Sequence, residues 1–133
     1  MVKGIVRKLD ELGRITLPKE YRNTYGIKNG DPLGMFVEGN FICLVKPAGK
    51  FVGIVRNLDE LGRYTLPIEV RRALGIETGQ KVDIYVDPIN DAICIRKEGC
   101  EWCDETEDLF VVGDHRLCRK CAHSVVDAVV GEE

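Results

Sequence analysis

The sequence predicts a mostly β fold with short helices, built from two β-β-α-β-β copies and followed by a small cysteine-rich module. Three observations carry this expectation. Residues 4–37, GIVRKLDELGRITLPKEYRNTYGIKNGDPLGMFV, recur at 53–86 as GIVRNLDELGRYTLPIEVRRALGIETGQKVDIYV, at a constant offset of 49 and with more than half the positions identical. Each copy consists of short β-prone runs punctuated by glycine and proline. Beyond the copies, Cys100, Cys103, Cys118 and Cys121 form two C-x-x-C pairs fourteen residues apart. A copy of roughly 45 residues buries too little apolar surface to fold comfortably alone. Each copy is therefore expected to serve as the other's partner. The boundaries read as 1–46, 51–97 and 98–131.

Within a copy, residues 4–9 and 53–58 are apolar-rich and β-prone. Asp-Glu-Leu-Gly-Arg follows at 10–14 and 59–63. Gly13 and Gly62 stand where a chain reversal needs positive φ. Residues 14–17 and 63–66 read as a second short strand, so the pair is expected to form a hairpin. Pro18 and Pro67 suit the first position of a helix, where the missing N–H costs no intrahelical bond. Glu20 and Glu69 lie in its first turn, where the helix dipole favours acid. Gly26 and Gly75 close it, with Ile27 and Ile76 as the apolar contact of a Schellman stop. Helices of about two turns need packing to persist. Two further strands follow in each copy, 33–38 with 41–46 and 82–87 with 92–97. The loop at 87–91 is two residues longer than its counterpart at Gly39 and Asn40. The linker at 47–50 is short, so the copies are neighbours.

Composition is that of an ordinary soluble protein of 133 residues. No apolar run reaches the ~18–20 residues that span a bilayer. No secretory pattern opens the sequence, so a cytoplasmic location with reduced thiols and no membrane partner is expected. The charge is uneven. Residues 1–97 carry 16 Lys and Arg against 12 Asp and Glu, whereas residues 98–133 carry 3 against 10. A basic body suggests a polyanionic partner.

The run GIVRKLDELGRITLP, then Glu-x-Arg, then Leu/Tyr-Gly-Ile, resembles the AbrB (SpoVT-AbrB) family of transition-state regulators, the swapped-hairpin DNA-binding fold, over residues 1–97. The resemblance implies that the two copies interleave as an intramolecular pseudo-dimer barrel. It also implies a transcription regulator that binds double-stranded DNA through arginines of the first hairpin, its loop and the helix. Carried over position by position, these are Arg56, Arg63, Arg71 and Arg72 in the second copy. In the first copy they are Arg7, Arg14 and Arg22, with Asn23 in the place of a fourth and Lys8 as a further candidate. The second copy holds the full set, so Arg63 is expected to matter more than Arg14. The residues agree: arginine offers a fixed charge and a planar fork suited to phosphate or a guanine edge. The competing account is that the arginines are solvated and paired with Asp10, Glu11, Glu20 and their counterparts.

Two C-x-x-C knuckles at this distance suit a tetrahedral Zn²⁺. A redox dithiol is the rival use. Residues 108–117 read as a hairpin around Gly113 and Asp114, and an apolar helix follows Cys118. This order resembles the treble-clef finger of the ClpX unfoldase, which implies self-association or partner binding. His115 and His123 are alternative ligands, with the four cysteines preferred. The finger's acids, Glu101, Asp104, Glu105, Glu107, Asp108 and Asp114, would repel a polyanion. Oligomerisation through the finger and a plain structural cap both remain open.

Cys43 and Cys94, at matching positions, read as small core hydrophobes. Tyr25 and Leu74 read as core. Asp10 and Asp59 read as turn residues rather than an acid–base pair. No nucleophile with a base and no phosphate loop is visible, and four cysteines would leave zinc no open position. An enzyme with a small-molecule substrate is therefore not expected. The alternative function is an antitoxin-like protein-interaction module on the same fold.

Overall fold

The computed structural model of the chain describes residues 4–51, 53–103, 105, 107–112 and 115–131. Its contacts divide it into a unit ending at Lys97 and one beginning at Glu98. In the first unit, the first copy contributes β1 (Ile5–Lys8), β2 (Arg14–Thr16), α1 (Lys19–Thr24), β3 (Pro32–Glu38) and β4 (Phe41–Val45). The second contributes β5 (Ile54–Asn57), β6 (Arg63–Thr65), α2 (Ile68–Leu74), β7 (Lys81–Asp87) and β8 (Ala92–Lys97).

Strand pairing departs from a simple duplication. The six-stranded antiparallel sheet runs β1-β7-β8-β4-β3-β5, so each copy's outer strand is supplied by the other. Arg7 lies opposite Val82, and its counterpart Arg56 lies opposite Leu33. The remaining short strands pair with each other: β2 and β6 form an antiparallel ribbon with Ile15 opposite Tyr64. This corrects the expected hairpin. The Asp-Glu-Leu-Gly turn does reverse the chain, with the Gly13 amide donating to Asp10 O at 3.0 Å. The strands it joins nevertheless bond elsewhere, β1 to β7 and β2 to β6. A turn fixes local direction, while the partner strand is chosen by which apolar faces can be buried together.

The core lies on one face of the sheet, under the ribbon. Side chains alternate along a strand, and Ile42, Leu44, Ile93 and Ile95 fill this face from the two central strands while Ile15 and Tyr64 meet them from the ribbon. Tyr64 is fully buried; its hydroxyl donates to Leu33 O at 3.1 Å, and burial pushes its pKa up to about 12. Each such side chain contributes ~1.5–3 kcal/mol by leaving water. Both copies supply the same core.

The short helices stop as the sequence implies. Ile27 N–H donates to Arg22 O at 2.8 Å and Ile76 N–H to Arg71 O at 2.8 Å, across Gly26 and Gly75 at φ +63° and +68°. That is the Schellman arrangement, with both isoleucines buried. Their starts differ by one residue from expectation. Pro18 and Pro67 have ψ of 136° and 145°, so they are caps whose carbonyls accept the first helical bonds rather than first helical residues. Extended ψ lets each proline continue directly from the strand before it.

In the second unit, β9 (Leu109–Val112) pairs with β10 (His115–Cys118), and α3 (Arg119–Gly131) follows. The predicted turn residues Gly113 and Asp114, like Asp104, lie outside the described residues. No helix among the described residues is long and apolar enough to cross a membrane.

A shared core predicts shared unfolding. Leu17→Ala, at a fully buried site, should cost about 2–5 kcal/mol and lower one calorimetric transition spanning both copies. A variant that melts only the first copy, leaving a second transition in place, would contradict the shared core.

Candidate nucleic-acid interface

The outward face of the β2–β6 ribbon is set by alternation. Ile15 and Tyr64 point to the core, so Arg14, Thr16, Arg63 and Thr65 point out. Arg14 lies opposite Thr65, and Thr16 opposite Arg63. Two guanidinium groups therefore share one surface about a local two-fold at the Ile15–Tyr64 pair.

Each arginine is held by the turn before it. Asp10 Oδ1 accepts the amides of Leu12 at 2.9 Å and Arg14 at 2.8 Å, while Oδ2 accepts Arg14 Nε at 2.7 Å. The second copy repeats this, with Asp59 Oδ2 accepting Arg63 Nε at 2.6 Å. Partial burial works against both carboxylates. The amides and guanidinium groups of Arg14 and Arg63 outweigh it and hold the carboxyls below their usual range. The competing account of the arginines is thus half realised: the carboxylate binds Nε. No hydrogen bond to the terminal nitrogens of either guanidinium forms among the described residues. Leu12 and Leu61 stand at the tips of the two turns, each 66% exposed.

The helix arginines reach across to the other copy. Arg22 Nε donates to Leu17 O at 3.1 Å, and Arg71 Nε donates to Leu66 O at 3.0 Å. A Cβ placed on Gly13 would lie 2.7 Å from the Arg71 guanidinium carbon, and one on Gly62 would lie 2.7 Å from that of Arg22. Glycine at these turns supplies both positive φ, +77° and +76°, and the room for an arginine of the other copy.

Grouping by copy, as the sequence suggests, is therefore corrected. Arg71, with Arg72 beside it, sits against the turn that leads into Arg14. Arg22, with Asn23 beside it, sits against the turn that leads into Arg63. Arg71 therefore joins Arg14 at one end of the ribbon, and Arg22 joins Arg63 at the other. Asn29 strengthens the other side: it accepts from Arg22 Nη1 at 3.0 Å and donates to Glu60 O at 2.7 Å. Its counterpart in the second copy is Thr78, and that difference is the one sequence signal for Asn29.

Arg7 and Arg56 are exposed on the outer strands β1 and β5, with side chains on the sheet face that carries the ribbon, opposite the buried Val82 and Leu33. Alternation turns Lys8 to the opposite face. Arg96 also lies apart: its Nε donates to the buried Asp83 at 3.0 Å, and it stacks on Tyr85 at 4.3 Å on the sheet's other face.

In the second unit, Cys100 and Cys103 precede the β9–β10 pair, Cys118 ends β10, and Cys121 lies in the first turn of α3. Their sulfurs all lie within 4.8 Å of one another, with Cys103 and Cys118 Sγ at 3.5 Å. Tetrahedral bonds of ~2.3 Å to a central ion place sulfurs ~3.8 Å apart, so the donor set fits a thiophilic four-coordinate cation. Burial opposes ionisation of Cys100, but the amides of Cys118, Trp102 and Cys103 overcome it and bring its thiol down to about 6. Burial and the neighbouring sulfurs push Cys121 up to about 12. His115 pairs with Glu101 at 2.7 Å, and neither histidine belongs to the cluster.

The profile of the bacterial antitoxin family MazE, described as antidote–toxin recognition, matches residues 6–51 and again 58–102. Three curated proteins of Bacillus subtilis (strain 168) are similar. Stage V sporulation protein T is 57% identical over 35 residues, 26% of this chain and 20% of that protein. Transition state regulatory protein AbrB is 51% identical over 43 residues, 32% of this chain and 45% of that protein. Abh is 49% identical over 43 residues, 32% of this chain and 47% of that protein. The matched segments thus span less than half of each relative.

The turn carboxylates predict an acid response. A carboxyl held low in the fold contributes stability that is complete above its unfolded value, about 3.9, and that is lost as pH falls toward its folded value. The double variant Asp10→Asn, Asp59→Asn should be less stable than the parent at pH 7. It should also lose less on going to pH 3, as read from urea midpoints. An unchanged acid response would show that these carboxylates do not anchor the turns.

Proposed function

Since the chain belongs to the MazE antitoxin family, whose domain it carries twice, we propose that it is a DNA-binding transcription regulator of the AbrB type. The observation that carries this reading is the ribbon face. Arg14 and Arg63 stand on it with their Nε atoms pinned, and Arg71 and Arg22 abut its two ends. Pinning matters because a long side chain already held in one rotamer loses less freedom on binding. Terminal nitrogens left without a hydrogen bond suit phosphate oxygens or a guanine edge.

The dimensions support a duplex. Leu66 N–H donates to Gly13 O and Leu17 N–H to Gly62 O, so the ribbon runs from one turn glycine to the other. At ~3.4 Å per residue that separates the turns by about 14 Å, close to the ~12 Å width of the major groove. Arg7, Arg56 and Arg72 flank this centre and serve phosphate contacts. Lys8, on the opposite face of the sheet, is the least favourably placed of the candidates.

The two ends differ. Arg71 abuts the Arg14 end and is followed in the chain by Arg72; Arg22 abuts the Arg63 end and is followed by Asn23. Binding is therefore asymmetric, with the stronger hold at the Arg14 end. The four thiolates hold Zn²⁺ as a structural ion, because about 35 residues with a small core need it to fold. The finger serves self-association through α3. Val126, Val129 and Val130 are exposed there, beside a cleft of about 220 Å³ lined by Phe110, Arg119, Ala122, His123 and Val126. Arg119 and Lys120 at the helix start and Asp127 near its end complement each other when two such helices lie antiparallel. The acidic finger itself stays off the polyanion.

A second reading is an antitoxin-like interaction module, favoured by the description of the matching family. Stable co-purification with a small protein partner, together with no shift of any DNA, would replace the first reading with this one.

Gel shifts against a panel of duplexes test the proposal. Arg14→Ala should weaken binding by about tenfold and Arg63→Ala by less, each lowering the salt slope by about one. Asn23→Arg should tighten binding. Equal affinity of the double Arg14→Ala, Arg63→Ala variant and the parent would defeat it. Light scattering with and without a zinc chelator tests the finger: a metal-bound oligomer should dissociate, and an unchanged mass would remove the finger from self-association.

A further inference from the structure

The interface leaves one pair of nucleophilic groups unused. Cys43 on β4 lies directly opposite Cys94 on β8, at the centre of the sheet. They are the same position in the two copies, so duplication has set one thiol against its own counterpart. Both are buried, at 3% and 1% exposure, on the face away from the ribbon. Phe36, Phe41, Val45 and Tyr85 pack around them, each half-buried. This small cluster is separate from the main core.

Register alone brings these residues within bonding range. Directly opposed residues of an antiparallel pair have Cα atoms about 4.5 or 5.5 Å apart, according to their place in the hydrogen-bond ladder. A disulfide needs about 4.4–6.8 Å. Either kind of pair falls inside that window. The two thiols also differ in acidity. The neighbouring Cys43 thiol, helped by Tyr85, holds the pKa of Cys94 below the usual thiol value, while Cys94 and burial push that of Cys43 up. One sulfur is thus favoured as the attacking thiolate and the other as the reserve thiol.

We propose that Cys43 and Cys94 form an oxidation site, at which a peroxide-class oxidant joins them as a disulfide that ties one copy to the other across the centre of the sheet. Cys94 thiolate attacks a peroxide oxygen; the O–O bond breaks, hydroxide leaves, and Cys94 becomes a sulfenic acid. Cys43 then attacks that sulfur as its thiolate, the S–O bond breaks, and the oxygen departs as water after taking a proton. Overall, two thiols and one hydrogen peroxide give one disulfide and two waters, each sulfur losing one electron and the peroxide gaining two. A small neutral oxidant suits a buried pair around which four half-buried side chains pack. The inference is independent of DNA binding and of metal at the other four cysteines.

Peptide mapping of the full-length chain tests it. Trypsin leaves Cys43 as the only cysteine of residues 29–50 and Cys94 as the only cysteine of residues 82–96. After brief exposure of the reduced protein to hydrogen peroxide, acid quench and alkylation, these two peptides should appear joined, two hydrogens lighter than their sum. The oxidised protein should unfold on the order of 10 °C higher, and a thiol reductant should reverse both changes. Cys43→Ser should abolish the linked species and leave Cys94 as a sulfenic acid that dimedone captures once the oxidised protein is unfolded in denaturant. Recovery of both cysteines fully alkylated, at a dose that oxidises Cys100, Cys103, Cys118 or Cys121, would overturn the proposal. So would pairing of either with one of those four. The wild-type mapping decides the matter even if the serine variant folds poorly.

Discussion

The exchange of strands between the two copies is the constraint from which the other features follow. β1 is held by β7, β5 by β3, and β2 by β6, so neither copy closes its own sheet. An exposed strand edge carries a row of unpaired amides and carbonyls, and here each copy covers the other's. The single core beneath the ribbon draws on both sequences at once. The same exchange places the two Asp-Glu-Leu-Gly turns at opposite ends of one ribbon, and it sends Arg22 and Arg71 each to the opposite copy's turn. The candidate interface is therefore assembled by folding and belongs to neither copy alone.

Much of this was legible in the sequence, and the remainder failed for a definable reason. Local chemistry fixed local features: Gly26 and Gly75 in the left-handed region, the acidic first turns, the strands on either side of Gly39, and the spacing that brings four cysteines together. What local chemistry does not encode is the choice of partner over long range. Asp10 and Gly13 specify a reversal whether or not the flanking strands pair, so the expected hairpin was reasonable and was displaced by the gain from interleaving two apolar faces. The grouping of arginines failed for the same reason. Arg71 belongs in sequence to the copy of Arg63 but in space to the turn of Arg14. Pro18 and Pro67 were misplaced by one residue because a fixed φ suits both a cap and a first helical position, and only ψ separates the two. Asn29 left almost no trace, since a polar loop residue earns attention only when its partner on the other copy is known.

The copies have diverged where the shared fold tolerates it. Ile15 faces Tyr64 at the centre of the ribbon, and the tyrosine remains buried because Leu33 O accepts its hydroxyl proton. Asn23 stands against Arg72, Asn29 against Thr78, and the loop at 87–91 exceeds its counterpart. Meanwhile the turn aspartates, the turn glycines and three arginines of each copy recur, together with the geometry that binds them. Within a single chain, that contrast separates residues that set the frame and the face from those free to make the two halves unlike. Cys43 and Cys94 belong to the first group, on the axis that relates the halves.

A half-filtered NOE experiment on a mixture of isotope-labelled and unlabelled chains tests the central claim most directly. The contact between Ile15 and Tyr64 across the ribbon should be present in the uniformly labelled protein and absent from the intermolecular spectrum. Its appearance between chains, or contacts pairing β1 with β2 in its place, would contradict an interleaved fold completed within one chain.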